Sequence, residues 1–405
     1  MKVLVISHMY PSAQNSAYGI FIHKQVRALI DQGCAIKVIS PVPYAPWPLP
    51  ILKKKWKAYS AIPHQDFIEG VEVYYPRYLE FPRSYLLEHS GFFMYRGIRK
   101  LVRKLHRDFQ FELIQAHVAL PDGHAAFLLK DEYHLSTVVT IHGQDFQSTM
   151  HKGKKCKDRL FQVLKGTDKI ITVSTKLKNI VKDEPFPSKI TVINNGIDLK
   201  DCKPVQVENL KPELKLTEEL KIVSVSNLKK TKGLDLNLQA LSRLIPKYPE
   251  LKYYIVGDGE ERQSLESLVA ELDLRKQVVF LGKLAHPEAM SQIAQGDIFC
   301  LPSWQEGFGV VYLEAMAQGV PVIGVRGEGI EDVIIHGQNG LLVRPQNVED
   351  IVQALDSLLS SPEYAKSLAK AGRNTVTNGF TWSHNARSTI SIYKSLLAKE
   401  GSSDY

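Results

Sequence analysis

The sequence predicts an α/β protein built from two Rossmann-like, doubly wound domains. Three observations predict it. Short β-branched apolar runs alternate with helical periods along the chain, which implies parallel sheets covered on both faces. The alternation breaks once, over a polar stretch at 199–219 that carries Pro204 and Pro212, and then restarts. The length of 405 residues suits two or three domains of ordinary size.

The elements follow in order. Residues 2–7 read as a buried strand, a loop with Pro11 and Gly19 follows, and 21–30 reads as a helix closed by Gly33. The next strand is 35–40, so the opening is strand–helix–strand with a right-handed crossover. Further strands are expected at 113–116, 137–141, 169–173 and 189–193. After the break, strands at 220–225, 252–256, 278–281, 298–301, 321–325 and 340–343 alternate with helices at 234–245, 261–272, 288–294, 310–318 and 348–359. A last helix is expected at 380–399. The domains expected are 1–200, 201–379 and a segment 380–405 that packs back on the first domain. Ligands of such sheets bind at the carboxyl ends of the strands, here expected in a cleft between the domains.

Composition excludes several classes. Apolar residues are 44% and charged residues 23%, which is not the balance of a disordered chain, a collagen or a coiled coil. No apolar run reaches membrane-spanning length, and the apolar start at 2–6 is too short for a secretory signal. Cys34, Cys156, Cys202 and Cys300 are widely spaced and read as reduced thiols of a cytoplasmic protein. The net charge is +8, unevenly spread. Residues 1–195 hold 28 Lys+Arg and 16 Asp+Glu (28 − 16 = +12), leaving 23 and 27 for residues 196–405 (23 − 27 = −4).

The densest chemical signal lies at 301–323. A strand ends at Leu301, a glycine-containing loop carries Glu306, and a helix starting near Gly309 holds Glu314 in its middle and stops at Gly319. Free N–H groups at a helix start make an anion site, and Gly307 and Gly309 let a ligand approach the backbone. A carboxylate in the loop and another eight residues on would accept hydrogen bonds from the hydroxyl groups of a sugar and a ribose flanking a diphosphate.

This segment resembles the Glu-x7-Glu motif of retaining glycosyltransferases of the GT-B fold, in particular family 4. The resemblance spans almost the whole chain. It includes Thr140-Ile141-His142-Gly143-Gln144-Asp145, Asn195-Gly196-Ile197-Asp198, Lys232-Gly233, Val256-Gly257-Asp258-Gly259 and Phe380-Thr381-Trp382. The pattern is most similar to bacterial members that build cell-surface polysaccharides, such as teichuronic-acid glycosyltransferases.

The resemblance implies roles. Glu306 would contact the transferred sugar, and Gly307, Phe308, Gly309 and Val310 would bring the backbone to sugar and phosphate. Glu314 would bind the ribose. Lys232 would stabilise the departing diphosphate. Gly19, Asn227 and Gly257 would belong to the donor site, and His117 and His142 would line the acceptor and sugar side. No cofactor or metal is expected, and a UDP-sugar is favoured over a GDP-sugar as donor. One position departs from the pattern. Ser226-Asn227-Leu228 stands where the family usually has Gly-Arg, and Asn227 supplies no charge, so either Lys229 or Lys230 compensates or phosphate contact rests on Lys232 and the backbone. Asp145 is expected to cap or orient its loop, and Asp198 to fix the Asn195-Gly196 turn.

Rival readings are a dehydrogenase, a sugar-nucleotide epimerase or phosphorylase of the same fold, and a non-catalytic basic binding protein. Val256-Gly257-Asp258-Gly259-Glu260-Glu261-Arg262 places Arg262 where a dinucleotide motif needs its third glycine, and no nucleic-acid module is present. The acceptor side offers Met94, Ile98, Leu101, Val102 and Leu105 as one helical stripe. Arg96, Arg99, Lys100, Arg103, Lys104 and Arg107 cover the rest. They form either a solvated basic face or, with Trp47, Lys53–Lys57 and Trp56, a dock for anionic lipid at the inner face of the cell membrane. A glycan or lipid-linked acceptor is expected, and no nucleic acid.

Overall fold

The computed structural model describes residues 1–46, 51, 53–81, 85–202 and 219–400. Most of the polar stretch at 199–219 and Trp47 lie outside the described residues. The chain forms two units, one of residues 1–195 with the helix Trp382–Glu400, the other of residues 196–381. The boundaries thus fall a few residues from those expected.

The first unit carries β1 (Lys2–Ile6), β2 (Ala35–Ile39), β3 (Val42–Pro43), β4 (Gln65–Ile68), β5 (Val71–Tyr74) and β6 (Arg77–Tyr78). It continues with β7 (Leu113–His117), β8 (Ser136–Ile141), β9 (Lys169–Thr172) and β10 (Ile190–Val192). Eight strands form one sheet in the order β10-β9-β8-β7-β1-β2-β5-β4, and β3 pairs with β6 separately. The large sheet is parallel except for β4 against β5. That hairpin was not expected. Ile68 pairs with Val71 across Glu69-Gly70, and both turn residues have positive φ (46° and 81°), the twist a two-residue hairpin loop needs.

The core of this unit is the apolar stripe of the helix Ile20–Asp31 packed on β1, β2 and β5, with Val5, Ile22, Val26, Val38 and Val73 inaccessible to solvent. Tyr393 and Ala386 of the last helix join the same cluster. Gln25 donates to Asn385 Oδ1 at 2.7 Å, and Asn385 donates to the Asn194 carbonyl at 2.8 Å, which satisfies buried amides that would otherwise oppose the docking of the last helix.

The second unit has six parallel strands: β11 (Leu220–Val225), β12 (Leu251–Val256), β13 (Val278–Gly282), β14 (Ile298–Cys300), β15 (Val322–Val325) and β16 (Leu341–Val343). Their order is β13-β12-β11-β14-β15-β16. The chain winds outward one way from β11, returns to β14 and winds outward the other way. The loops leaving β11 and β14 therefore start side by side and diverge, which is where such sheets accept ligands. The first sheet reverses in the same way between β1 and β7.

A buried polar cluster holds this point together. Asn237, on the helix Leu234–Leu244, lies 3.0 Å from the Tyr253 hydroxyl, 3.0 Å from the Cys300 carbonyl and 3.3 Å from Ser224 Oγ. One amide thus ties β11, β12 and β14 to the helix that leaves β11. All four cysteines are free thiols. Gly257, after β12, has φ 135°, and a Cβ there would fall 1.8 Å from the Ser226 carbonyl oxygen. Its glycine is required for the β12 loop to press on the β11 loop. Gly257→Ala should therefore cost about 2 kcal/mol or more in urea unfolding, while Gly379→Ala, which meets nothing within 4 Å, should stay within about 1 kcal/mol of the parent.

Candidate functional site

The loop after β11 is pinned first. The Leu228 N–H donates to the Asp258 carbonyl and the Glu261 N–H donates to the Leu228 carbonyl, each at 3.1 Å. A tight turn at Lys230–Lys232 then reaches Gly233, which sits left-handed at φ 70° before the helix. A Cβ at Gly233 would lie 2.4 Å from the Pro302 carbonyl oxygen, so this turn lies directly on the loop after β14. The Trp304 N–H donates to the Thr231 carbonyl at 3.0 Å, and Ser303 Oγ donates to it at 3.2 Å.

These straps bring Lys232 Nζ to 2.5 Å from Glu306 Oε2, both side chains about one-fifth exposed (19%). Ser303 Oγ lies 3.3 Å from the same oxygen. The Glu306 N–H donates to Glu328 Oε2 at 2.7 Å. Glu328, 7% exposed, follows β15, and its neighbour Gly329 is pressed on Gly307, where a Cβ would come within 2.3 Å of the carbonyl oxygen.

Gly309 caps the helix Val310–Ala317 with φ 92°. A Cβ there would strike the Tyr312 ring at 2.7 Å, and the Tyr312 hydroxyl donates to the Leu301 carbonyl. The helix start is thereby fixed to the end of β14. Phe308 is buried and belongs to the core, while Gly307 and Val310 are half-buried. Glu314 lies further along the helix, with Oε1 2.8 Å from His286 Nε2. Asn227 is exposed, and its carbonyl accepts the Lys229 N–H at 2.9 Å. Lys230 is engaged with Asp235 at 2.6 Å.

The structure thus gathers Lys232, Glu306, Gly307 and Gly309 at the reversal point, with Glu314 on the adjoining helix. Gly257 supports the neighbouring loop. His286 and Glu328 escaped sequence reasoning. Glu328 carried a signal, because Glu328-Gly329 places a carboxylate directly before a glycine in the loop after a strand, as Glu306-Gly307 does.

The first unit places His117 at the end of β7 and His142 just beyond β8. His117 Nδ1 lies 3.0 Å from His142 Nε2, and the rings stack at 5.3 Å between centroids. Phe21 meets His142 edge-on at 4.8 Å. Burial holds His117 well below the usual imidazole range and lowers His142 to about 3, so both rings are neutral at physiological pH. The approach that excludes a side chain at Gly19 is to the Met9 carbonyl oxygen, 2.2 Å from a Cβ built there.

Asp145 orients its loop by accepting the Ala119 N–H at 2.8 Å, and burial pushes its carboxyl up to about 7. Asp198 instead caps the turn Leu199–Asp201 through the Lys200 N–H at 3.0 Å, because its carboxylate points forward along the chain and not back to Asn195-Gly196. On the helix Ser90–Phe109, Met94, Ile98, Val102 and Leu105 are buried and Leu101 is half-buried. Among its cations, Arg103 faces Glu132 at 3.7 Å, Arg107 pairs with Asp108 at 2.8 Å, and Arg99 covers the Tyr95 ring at 5.5 Å. Among the described residues no helix is long and apolar enough to cross a membrane.

Two Rossmann-like units, with a lysine–carboxylate pair and a glycine-capped helix at the winding reversal of the second, define the GT-B class of glycosyltransferase. Residues 206–375 match the family model "Glycosyl transferases group 1", and residues 19–201 match "Glycosyltransferase Family 4". The chain is 26% identical to the putative teichuronic acid biosynthesis glycosyltransferase TuaC of Bacillus subtilis over 398 residues, 98% of this chain and 99% of that one. It is 30% identical to the N-acetyl-alpha-D-glucosaminyl L-malate synthase of Bacillus anthracis over 273 residues, 66% of this chain and 71% of that one. Among solved structures, sucrose-phosphate synthase from Thermosynechococcus elongatus superimposes with a TM-score of 0.79 at 21% identity, covering 98% of this chain and all (100%) of that one. Anabaena HepE in complex with UDP and glucose does so at 0.71 and 18%, with coverage of 98% and 100%. The chain belongs to glycosyltransferase family 4 and is a glycosyltransferase of the GT-B fold.

The neutral histidine pair makes stability depend on pH. The unfolded chain takes up protons on both rings below about 6.5, and the folded chain resists them. This contribution is present above that pH and is lost progressively as pH falls toward the lowered value of about 3 at His142. Asp145, raised by burial, acts in the opposite sense over the same range. The test is therefore a difference. The urea midpoint of His142→Gln should fall less steeply than the parent's between pH 7 and 5, and equal slopes would contradict the neutral pair.

Proposed function

We propose that this glycosyltransferase moves a sugar from a nucleotide diphosphate sugar, a UDP-sugar in preference to a GDP-sugar, to an acceptor hydroxyl with retention and without a metal. The observation that carries the reading is the Lys232–Glu306 pair, held by two strapped loops at the reversal of the second sheet. Lys232 meets the diphosphate and stabilises it as it departs. Glu306 accepts from hydroxyl groups of the transferred sugar, and Gly307 and Gly309 let sugar and phosphate reach the backbone. Glu314, steadied by His286, accepts from the ribose. HepE solved with UDP and with UDP-glucose, and Staphylococcus aureus TarM solved with UDP, favour the uracil nucleotide. With Asn227 uncharged, the diphosphate relies on Lys232 and the start of the helix Val310–Ala317.

In the proposed reaction the bond between the anomeric carbon and the diphosphate oxygen breaks, and the acceptor oxygen bonds that carbon on the same face. The acceptor proton passes to the departing phosphate. No side chain forms a covalent intermediate. The acceptor is a lipid-linked or cell-surface glycan precursor met by the first unit, where His117 and His142 stand at adjacent strand ends. The protein works in the cytoplasm, at the inner face of the membrane. The excess of cations in residues 1–195 suits an anionic surface there.

Two measurements test this. In a thermal-shift panel of UDP, GDP, ADP and their sugars, UDP and its sugar should raise the melting temperature most. Glu306→Ala should keep the fold and lower turnover by about 100-fold or more, whereas near-parental kinetics would sink the assignment. An inverted anomer in the product, read by NMR, would reject retention.

A further inference from the structure

The first unit holds two depressions that share walls. An open groove of about 650 Å³ is lined by Tyr44, Phe92, Phe93 and Arg96, and a smaller chamber of about 140 Å³ by His8, Glu80, Phe81 and Asp145. Tyr78, Leu79 and Phe93 line both, so the two lie side by side against the same side chains.

The two ends differ in chemistry. At the mouth, Tyr44, Leu79 and Phe92 are large apolar side chains about half exposed (53%, 48% and 45%), a patch that water solvates poorly. Gly97 lets the helix Ser90–Phe109 press on β6 to form the groove wall, because a Cβ there would strike the Arg77 carbonyl at 2.7 Å and Tyr78 Cβ at 2.8 Å. Arg77 is committed to the wall through the Tyr75 carbonyl at 2.9 Å. Arg96 is exposed on the groove, with no partner among the described residues. The inner end is polar. The His8 ring is set by Asp122 at 2.9 Å, and Asp145 is 1% exposed. One Asp145 oxygen takes the Ala119 N–H, and Oδ2 is buried with no partner. A buried acceptor without a donor is costly, and a ligand hydroxyl would satisfy it.

We propose that groove and chamber form one binding channel for a single amphiphile, with an apolar chain on the aromatic groove, an anionic linker at Arg96 and a hydroxyl-bearing head donating to Asp145. A partner helix or a second copy of this chain would cover the groove and leave the inner carboxylate unsatisfied. A free sugar would leave the aromatic mouth in water. Only a molecule with both ends meets both needs. Naming this occupant the acceptor rests on the glycosyltransferase reading; the binding does not.

The experiment is calorimetric titration of the full chain, without donor, using decyl glucosyl phosphate below its micellar concentration. The comparison probes are methyl glucosyl phosphate and decyl phosphate. The complete probe should bind at least ~10-fold tighter than either, given the apolar surface the chain buries and the donor the head brings. Phe92→Ser and Arg96→Gln should each weaken it about fivefold or more. Phe67→Ser, an exposed apolar position on the β4–β5 hairpin, should leave it unchanged. Asp145→Asn should remove the advantage of the sugar-bearing probe over decyl phosphate; if that variant misfolds, the Phe92 and Arg96 arms decide. Equal affinity of the parent, Phe92→Ser and Arg96→Gln, or no binding, would overturn the channel. So would a dimer, seen by sedimentation, that Phe92→Ser dissolves while no probe binds. UDP-sugar turnover measured beside it separates the two readings: turnover without probe binding removes the channel alone, and probe binding without turnover removes the reaction alone.

Discussion

The second unit depends on one topological constraint, the reversal of winding between β11 and β14. Parallel strands joined by right-handed crossovers can cover both faces of a sheet only if the chain reverses once. At the reversal two loops leave adjacent strand ends in opposite directions, and something must close the gap. Here the closure is polar at every level. Asn237 ties three strands to one helix, the Thr231 carbonyl takes Trp304 and Ser303, and Lys232 meets Glu306 across the top. The Lys232–Glu306 pair is thus seated on contacts made by the residues around it.

This layering explains why the glycines fall where they do. Gly233 and Gly309 take left-handed conformations that bring one loop onto the other and a helix start onto a ring. Gly257 and Gly329, like Gly233, leave room for a neighbouring carbonyl that a side chain would exclude. A site that places a cation and a carboxylate 2.5 Å apart needs such positions, because loop backbones must approach more closely than side chains allow. The net charge of the second unit is of little consequence to this arrangement. One lysine, locally held, supplies the positive charge beside Glu306, although residues 196–405 sum to −4 (23 − 27).

The first unit uses the same reversal for another end. At β7 and β8 it places two neutral imidazoles against each other, and beside them the buried Asp145 with one satisfied oxygen. The basic helix Ser90–Phe109 presents its apolar stripe inward, and its cations are partly spent on local partners such as Glu132 and Asp108. Its charge is thus a solvated face first, whatever surface it meets.

Much of this was legible in the residues themselves. The alternation of apolar runs with helical periods determined two doubly wound sheets, since strands buried on both faces must be apolar throughout. The motif around Glu306 and Glu314 determined a loop-then-helix carboxylate pair, because glycine placement and spacing are local properties. Tertiary structure alone decided the rest. The β4–β5 hairpin hides in a Glu-Gly turn whose handedness no periodicity reports. Asp198 caps the turn ahead of it, not the one behind. The Lys232–Glu306 contact, the Glu328 support and the His286–Glu314 pair join residues 74, 22 and 28 positions apart, and only the crossing of strands brings them within reach. A sequence records which side chains a loop offers. Which loops end side by side is settled by strand order, and strand order depends on the packing of the whole unit.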